Sequence, residues 1–176
     1  MVTEFQKRKL ASIFYRSDRT RDGFVSVEDL EQQGGTVAEL LGVKPESADY
    51  EKIISAYRNI WSVYFKPADI DGDNRVTLDE YVKLAESYNN SNQHDSSIEA
   101  LFDSIDLDAN GKIDADEFAV FIKAINGSEH DARIAFSNVD IDGDGYITKE
   151  EFVNRNQEYF RTNDPSAAAN WFYGQF

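Results

Sequence analysis

Large apolar residues recur along this chain at a long period as well as a short one. Phe14, Phe65, Phe102 and Phe136 each stand four residues before a short acidic stretch, Val25, Val76, Ile113 and Ile147 hold one fixed place inside it, and Leu30, Tyr81, Phe118 and Phe152 follow it directly. Between these anchors apolar side chains return at three- and four-residue spacing, which a helix with one buried face requires. The pattern therefore predicts four helix–loop–helix units. The branched residue inside each loop suits a short strand, so neighbouring loops are expected to pair edge to edge, first with second and third with fourth. The expected fold is all-α: four such units in two pairs packed as one compact globule, with short paired strands between the loops.

Taken in order, Thr3 and Gln6 form a capping-box pattern that starts a helix carrying Phe5, Leu10, Ile13 and Phe14. The acidic stretches begin at residues 18, 69, 106 and 140, separations of 51, 37 and 34, so the first pair holds about fifteen residues more than the others. Gly34-Gly35 is expected to break the helix leaving the first loop, and Thr36 to Leu41 to form a short helix stopped by Gly42. A long helix is expected from about Pro45 to Phe65, with Ile53, Ile54, Tyr57, Ile60, Trp61, Tyr64 and Phe65 at helical spacing as a core stripe. The resulting division is an N-terminal pair at 1–86 with an enlarged spacer at 34–50, a polar joint at 87–97, a C-terminal pair at 98–162 and a tail at 163–176. That tail holds Trp171, Phe172, Tyr173 and Phe176. Leaving four large rings in water forgoes several kcal/mol, at about 1.5–3 for each, so the tail is expected to fold back between the lobes.

The acidic stretches carry the chemistry. Asp140 to Glu151 offers Asp140, Asp142 and Asp144 at loop positions 1, 3 and 5, the Tyr146 carbonyl at 7 and Glu151 at 12, with Gly145 at the sharp turn of position 6. Asp106 to Glu117 repeats it with Asp106, Asp108, Asn110, the Lys112 carbonyl and Glu117. Asp69 to Glu80 does so with Asp69, Asp71, Asp73, the Arg75 carbonyl and Glu80, but with Asn74 at position 6, the residue next most tolerant of positive φ. In the fourth copy, Asp18, Thr20, Asp22, the Phe24 carbonyl and Asp29 take these places. There the shorter Asp29 stands where the others have glutamate, which favours Mg²⁺ or weaker Ca²⁺ binding. Hard oxygens at this spacing select Ca²⁺ with Mg²⁺ competing, most of all in the first loop. His94 and His130 are expected to be solvated, since such sites do not call for imidazole.

Composition narrows the classes. A net charge of −15 argues against nucleic acid and anionic membrane surfaces. The acid is local: fifteen of the thirty-three acidic residues stand at candidate coordinating positions, and four bound Ca²⁺ would bring the charge to −7. With no cysteine there is no disulfide framework, and with no leader pattern or membrane span the chain reads as cytoplasmic and monomeric. H-E-x-x-H, G-x-S-x-G and a phosphate-binding glycine loop are missing, so an enzyme is not expected.

The four motifs, the enlarged first spacer with Asn59-Ile60-Trp61 and the ending Asn170-Trp171-Phe172-Tyr173-Gly174 together resemble the sarcoplasmic calcium-binding proteins, a four-EF-hand family with calerythrin and luciferin-binding relatives. The resemblance implies two EF-hand pairs packed face to face and a Ca²⁺/Mg²⁺ buffer. Composition points the same way, because sensors open a methionine-rich groove and the one methionine here is Met1. Two alternatives stand beside the buffer: a Ca²⁺-regulated carrier of a hydrophobic small molecule, for which the aromatic interior would be the pocket, and a sensor with a protein target, which nothing in the sequence indicates.

Overall fold

The computed structural model describes residues 2–88 and 96–175. Helix α1 (Glu4–Ser17) begins at the reciprocal cap the sequence spells: the Thr3 hydroxyl accepts from the Gln6 N–H at 3.2 Å, and the Gln6 side chain accepts from the Thr3 N–H at 2.9 Å. Helix α2 (Val27–Leu40) leaves the first loop, α3 (Ala48–Ile60) leads toward the second, and α4 (Leu78–Tyr88) leaves it. The third unit is α5 (Ser96–Ile105), β1 (Lys112–Ile113) and α6 (Ala115–Ala124); the fourth is α7 (Glu129–Val139), β2 (Ile147–Thr148) and α8 (Lys149–Arg161).

The loops are joined in pairs through their branched residues. Val25 and Val76 form an antiparallel bridge with N–H···O distances of 2.9 and 2.8 Å, while β1 and β2 pair in the register Lys112–Thr148 and Ile113–Ile147. Val25, Val76, Ile113 and Ile147 are all wholly buried, so each strand link also roofs the core beneath it. Helix α3 packs on α5, α2 on α6 and α1 on α8, which closes the two pairs into one body.

Two expectations about the first spacer are corrected. Helix α2 runs unbroken through Gly34 and Gly35. A Cβ on Gly34 would lie 3.1 Å from Tyr57 Cδ2 and 3.2 Å from Ile54 Cδ1, so the glycine permits the close crossing of α2 over α3 instead of ending the helix. The stop comes at Gly42, where φ is +67° and the Val43 N–H reaches back to the Ala38 carbonyl at 2.8 Å. Helix α3 in turn starts at Ala48 rather than near Pro45, because Glu46 takes a φ of +64° and the Ser47 hydroxyl caps the helix by accepting from the Tyr50 N–H at 3.2 Å. Its last turns are irregular, a π-helical turn at Trp61–Phe65 followed by a 3₁₀ turn at Lys66–Ala68.

At the proposed joint, α4 continues through Ser87 and α5 includes Ser97, while 89–95, with His94, lie outside the described residues. The tail forms a 3₁₀ turn at Ala168–Trp171. Phe172 is wholly buried, its ring 4.9 Å from that of Phe152 and 6.4 Å from that of Phe118. The Tyr173 hydroxyl accepts from Asn156 Nδ2 at 2.7 Å. Trp171 is half-buried and Phe176 lies outside the described residues. Two cations of α1 hold this segment: Arg16 donates to the Tyr173 and Gln175 carbonyls, and the buried Lys9 donates to Asn170 Oδ1 at 3.1 Å, to the Thr162 carbonyl at 3.0 Å and to the Tyr159 carbonyl.

Candidate metal centres

Each loop is shaped by the carboxylates at its two ends. The position-1 aspartate folds the turn: Asp18, Asp69, Asp106 and Asp140 accept the amides of Gly23, Asn74, Gly111 and Gly145 at 3.0, 3.1, 2.8 and 3.1 Å. These position-6 residues have φ of +90°, +66°, +84° and +89°, and the loop with Asn74 keeps the turn. At the other end Glu151 accepts the Ile141 amide at 2.9 Å with one oxygen and the Thr148 amide at 2.8 Å with the other. Glu80 does the same with Ile70 and Thr77, at 3.0 and 2.9 Å, and Glu117 with Leu107 and Asp114, at 2.8 and 2.9 Å. The position-5 side chain of every loop accepts the position-7 amide, as Asp22 does from Phe24 at 3.1 Å, Asp73 from Arg75 at 2.7 Å, Asn110 from Lys112 at 2.8 Å and Asp144 from Tyr146 at 2.9 Å.

The same folding concentrates negative charge. Asp69, Asp71 and Asp73 bring carboxylate oxygens within 4.8 Å of one another, as do Asp106, Asp108 and Glu117, and Asp140, Asp142 and Glu151. Three carboxylates so close repel, and a hard divalent cation with oxygen coordination is the partner that relieves this. Burial pushes the Glu80 and Glu151 carboxyls up, but hydrogen bonds from Thr77, Ile70 and Asp71, and from Thr148, Ile141 and Asp142, outweigh it and hold both below the ordinary carboxylate range. They are thus ionised and available to an ion at neutral pH.

The first loop differs. Among the described residues it does not gather three carboxylates at that spacing. Asp29 is 1% exposed; its Oδ1 accepts the Arg19 and Thr20 amides at 2.9 Å, and its Oδ2 accepts the Ser26 amide and hydroxyl at 2.8 Å. Thr20 points its hydroxyl at Asp18 Oδ1 at 3.4 Å. Asp22 is exposed. Across each pair of loops the position-7 residues meet as cation and ring, Arg75 over Phe24 at 5.3 Å and Lys112 over Tyr146 at 4.8 Å.

A family profile described as an EF-hand domain pair matches residues 58–123 and again 95–157. The chain belongs to the EF-hand family. Calerythrin of Saccharopolyspora erythraea is 24% identical over 167 residues, covering 90% of this chain and 94% of that one. The luciferin-binding protein of Renilla reniformis is 25% identical over 181 residues, covering 97% and 94%. Among solved structures, a sarcoplasmic calcium-binding protein from amphioxus superimposes with a TM-score of 0.69 at 21% identity over the full length of both chains. The resemblance to sarcoplasmic calcium-binding proteins read from the sequence is matched by these relatives and by this fold. Among the described residues no helix is long and apolar enough to cross a membrane.

Around these EF-hand loops stand residues the repeat pattern does not flag. Arg19, at position 2 of the first loop, donates to Thr36 Oγ1 at 3.2 Å and to the Ala124 carbonyl at the end of α6 at 3.3 Å. Ile70, Leu107 and Ile141 hold the same position in the other loops and are exposed. Lys66, just before the second loop, reaches Asp69 Oδ2 at 2.7 Å. A basic residue beside an acidic loop was the available signal in both cases, but only the fold supplies the partners.

Proposed function

We propose that this chain is an intracellular Ca²⁺/Mg²⁺ buffer. Its ion ligands in this reading are the carboxylates of Asp69, Asp71, Asp73 and Glu80, of Asp106, Asp108 and Glu117, and of Asp140, Asp142, Asp144 and Glu151, with Asn110 and the Arg75, Lys112 and Tyr146 carbonyls. Asp18, Thr20, Asp22, the Phe24 carbonyl and Asp29 make a weaker set that favours Mg²⁺. The observation that carries the reading is how little room the described residues leave between the two pairs. The space between the two pairs, bounded by Ile13, Tyr57, Ile60, Tyr64, Phe121 and Tyr173, has a volume of about 40 Å³. That is room for a few waters, against roughly 300 Å³ or more for a small-molecule pocket. Phe172 of the chain's own tail is wholly buried against Phe118 and Phe152, the rings that follow the third and fourth loops. Ions entering such a body change its charge more than its shape.

The second reading is a carrier of a hydrophobic small molecule. It is favoured by the aromatic lining of that same space and by the relative named for binding luciferin. It requires the pairs to move apart by enough to enlarge the cavity several-fold.

Fluorescence of the apolar dye ANS separates these readings, with the protein held in Mg²⁺ and then saturated with Ca²⁺. Mg²⁺ keeps the starting state packed, so the dye does not merely report a loose form. A buffer shows no rise. A clear rise on adding Ca²⁺ would overturn the reading in favour of an opening sensor, and a coloured compound copurifying with the chain would favour the carrier.

A further inference from the structure

We propose that Lys66 is a tethered counter-cation that weakens ion binding by the second loop and makes it the last of the three glutamate-closed loops to fill; the inference rests on reading that loop as an ion site. Lys66 stands three residues before the loop, where the other loops have Tyr15, Asp103 and Ser137. Its ammonium lies 2.7 Å from Asp69 Oδ2 and 2.7 Å from Asn74 Oδ1, a bridge between positions 1 and 6 of the loop. Asp69 is the position-1 ligand candidate, and its side chain is wholly buried while that of Lys66 is 41% exposed.

The backbone is built to deliver this contact. Helices α1, α5 and α7 remain regular to the edge of their loops, at Ser17, Ile105 and Val139. The approach to the second loop instead widens into the π-helical turn and then tightens into the 3₁₀ turn that begins with Lys66 and Pro67. The lysine also has a partner only this loop provides, because Asn74 replaces the glycine of the others and its side-chain oxygen accepts from Nζ.

The hydrogen bonds leave the loop able to take an ion. Lys66 and the Asn74 amide share Asp69 Oδ2, while Oδ1 accepts only the Gly72 amide, at 2.8 Å. A carboxylate oxygen has two lone pairs, so Oδ1 keeps one for a cation. An ion on Oδ1 and an ammonium on Oδ2 stand roughly 5–6 Å apart. A divalent and a monovalent cation at that separation, screened as in water, repel by enough to weaken binding about tenfold. The fourth loop has a milder version, Lys112 at 3.5 Å from Asp144 Oδ2, but both side chains are more than 40% exposed and solvent screens them.

The rival role for Lys66 is support of the Asn74 turn, and it has the opposite sign: removing a support weakens binding. Amide resonances of the full chain tell them apart, followed against chelator-buffered free Ca²⁺, because the Asn74, Gly111 and Gly145 amides each donate to the position-1 carboxylate of their own loop. With Lys66→Gln the Asn74 midpoint is expected at about tenfold lower free Ca²⁺, with Gly111 and Gly145 unmoved. Lys66→Arg, which keeps the charge, retains the original midpoint, and added KCl narrows the gap between the Gln variant and the parent. Lys66→Met, which keeps the aliphatic stem, repeats the measurement if the Gln variant folds poorly. An Asn74 midpoint that stays put or rises in the neutral variants overturns the proposal. Gly111 and Gly145 amides indifferent to Ca²⁺ in the unaltered chain would instead sink the ion-binding reading itself.

Discussion

Truncating Phe172 to alanine tests whether the last ten residues are part of the core or an ornament on it. The ring is wholly buried and meets Phe152 at 4.9 Å and Phe118 at 6.4 Å, with interplanar angles of 66° and 85°. Phe118 and Phe152 directly follow the third and fourth loops, so the tail ring occupies the space between the two helices that leave those loops. Removing it forfeits the transfer of a large apolar side chain and leaves a cavity that helices anchored by loops at one end cannot readily close, about 3–5 kcal/mol. For a chain of this size each kcal/mol lowers the melting temperature by about 2–4 °C, so a drop of roughly 6–20 °C is expected. Thermal unfolding followed by circular dichroism in saturating Ca²⁺ reads it, with ion and protein concentrations matched because bound ligand itself raises the midpoint. Tyr15→Ala is the control, since that ring is 62% exposed. A fall of less than about 2 °C for Phe172→Ala, or one no larger than the control, would show that the tail is not integral to the packing.

Gly35→Ala raises stability by about 0.5–1 kcal/mol, since the nearest atom to the new Cβ is Tyr50 Oη at an ordinary 3.7 Å and the residue lies inside a helix, whereas Gly34→Leu lowers it by about 1–3 kcal/mol through the contact with Tyr57. Urea unfolding of the two variants checks the opposite signs. Burial pushes the Lys9 ammonium down to about 8, against the pull of the Glu158 carboxylate. Its folded value lies below its unfolded one, so the unfolded chain holds more protons between about 8 and 10.5 and stability from this group rises with pH across that window. The stability difference between the parent and Lys9→Met should therefore grow in favour of the parent from pH 8 to 10, as measured by urea unfolding; a flat difference would refute it. Glu151→Gln removes the bidentate carboxylate of the fourth loop and is expected to lower the number of tight Ca²⁺ sites by one in a calorimetric titration, while Asp29→Glu is expected to tighten the first loop for Ca²⁺ relative to Mg²⁺.

The loops and their pairing were legible because their determinants are local. Spacing alone places the oxygens, and a residue tolerant of positive φ is needed at position 6 whatever surrounds it, so Asn74 at +66° could be foreseen from its own chemistry. Gly34 is the converse case. In isolation two glycines weaken a helix, and nothing within α2 reveals that Ile54 and Tyr57 of α3 pass within 3.2 Å of where a side chain would stand. The start of α3 was missed by a narrower margin, Ser47 outcompeting Pro45 because its hydroxyl satisfies an amide that proline at that place would leave open. Lys9, Arg16, Arg19 and Lys66 were all visible as charges in the sequence. The acceptors of Lys9, Arg16 and Arg19 lie far along the chain and those of Lys66 are set by the irregular turn before its loop, so their roles were not.

The first loop keeps the hydrogen-bonded scaffold of the others with a shorter residue at position 12. Asp29 takes the amides of positions 2 and 3 on one oxygen and the position-9 amide on the other, the same division that Glu151 makes with Ile141, Asp142 and Thr148. The amide scaffold is thus indifferent to whether position 12 is aspartate or glutamate. The shorter side chain satisfies those amides from a buried place in the loop, where Asp29 is 1% and Asp18 6% exposed. What the loop loses in reach it retains as structure: Arg19 ties its rim to the end of α6, the helix whose first turn carries Glu117 of the third loop. The first loop is therefore also a brace between the pair that contains it and the pair that does not.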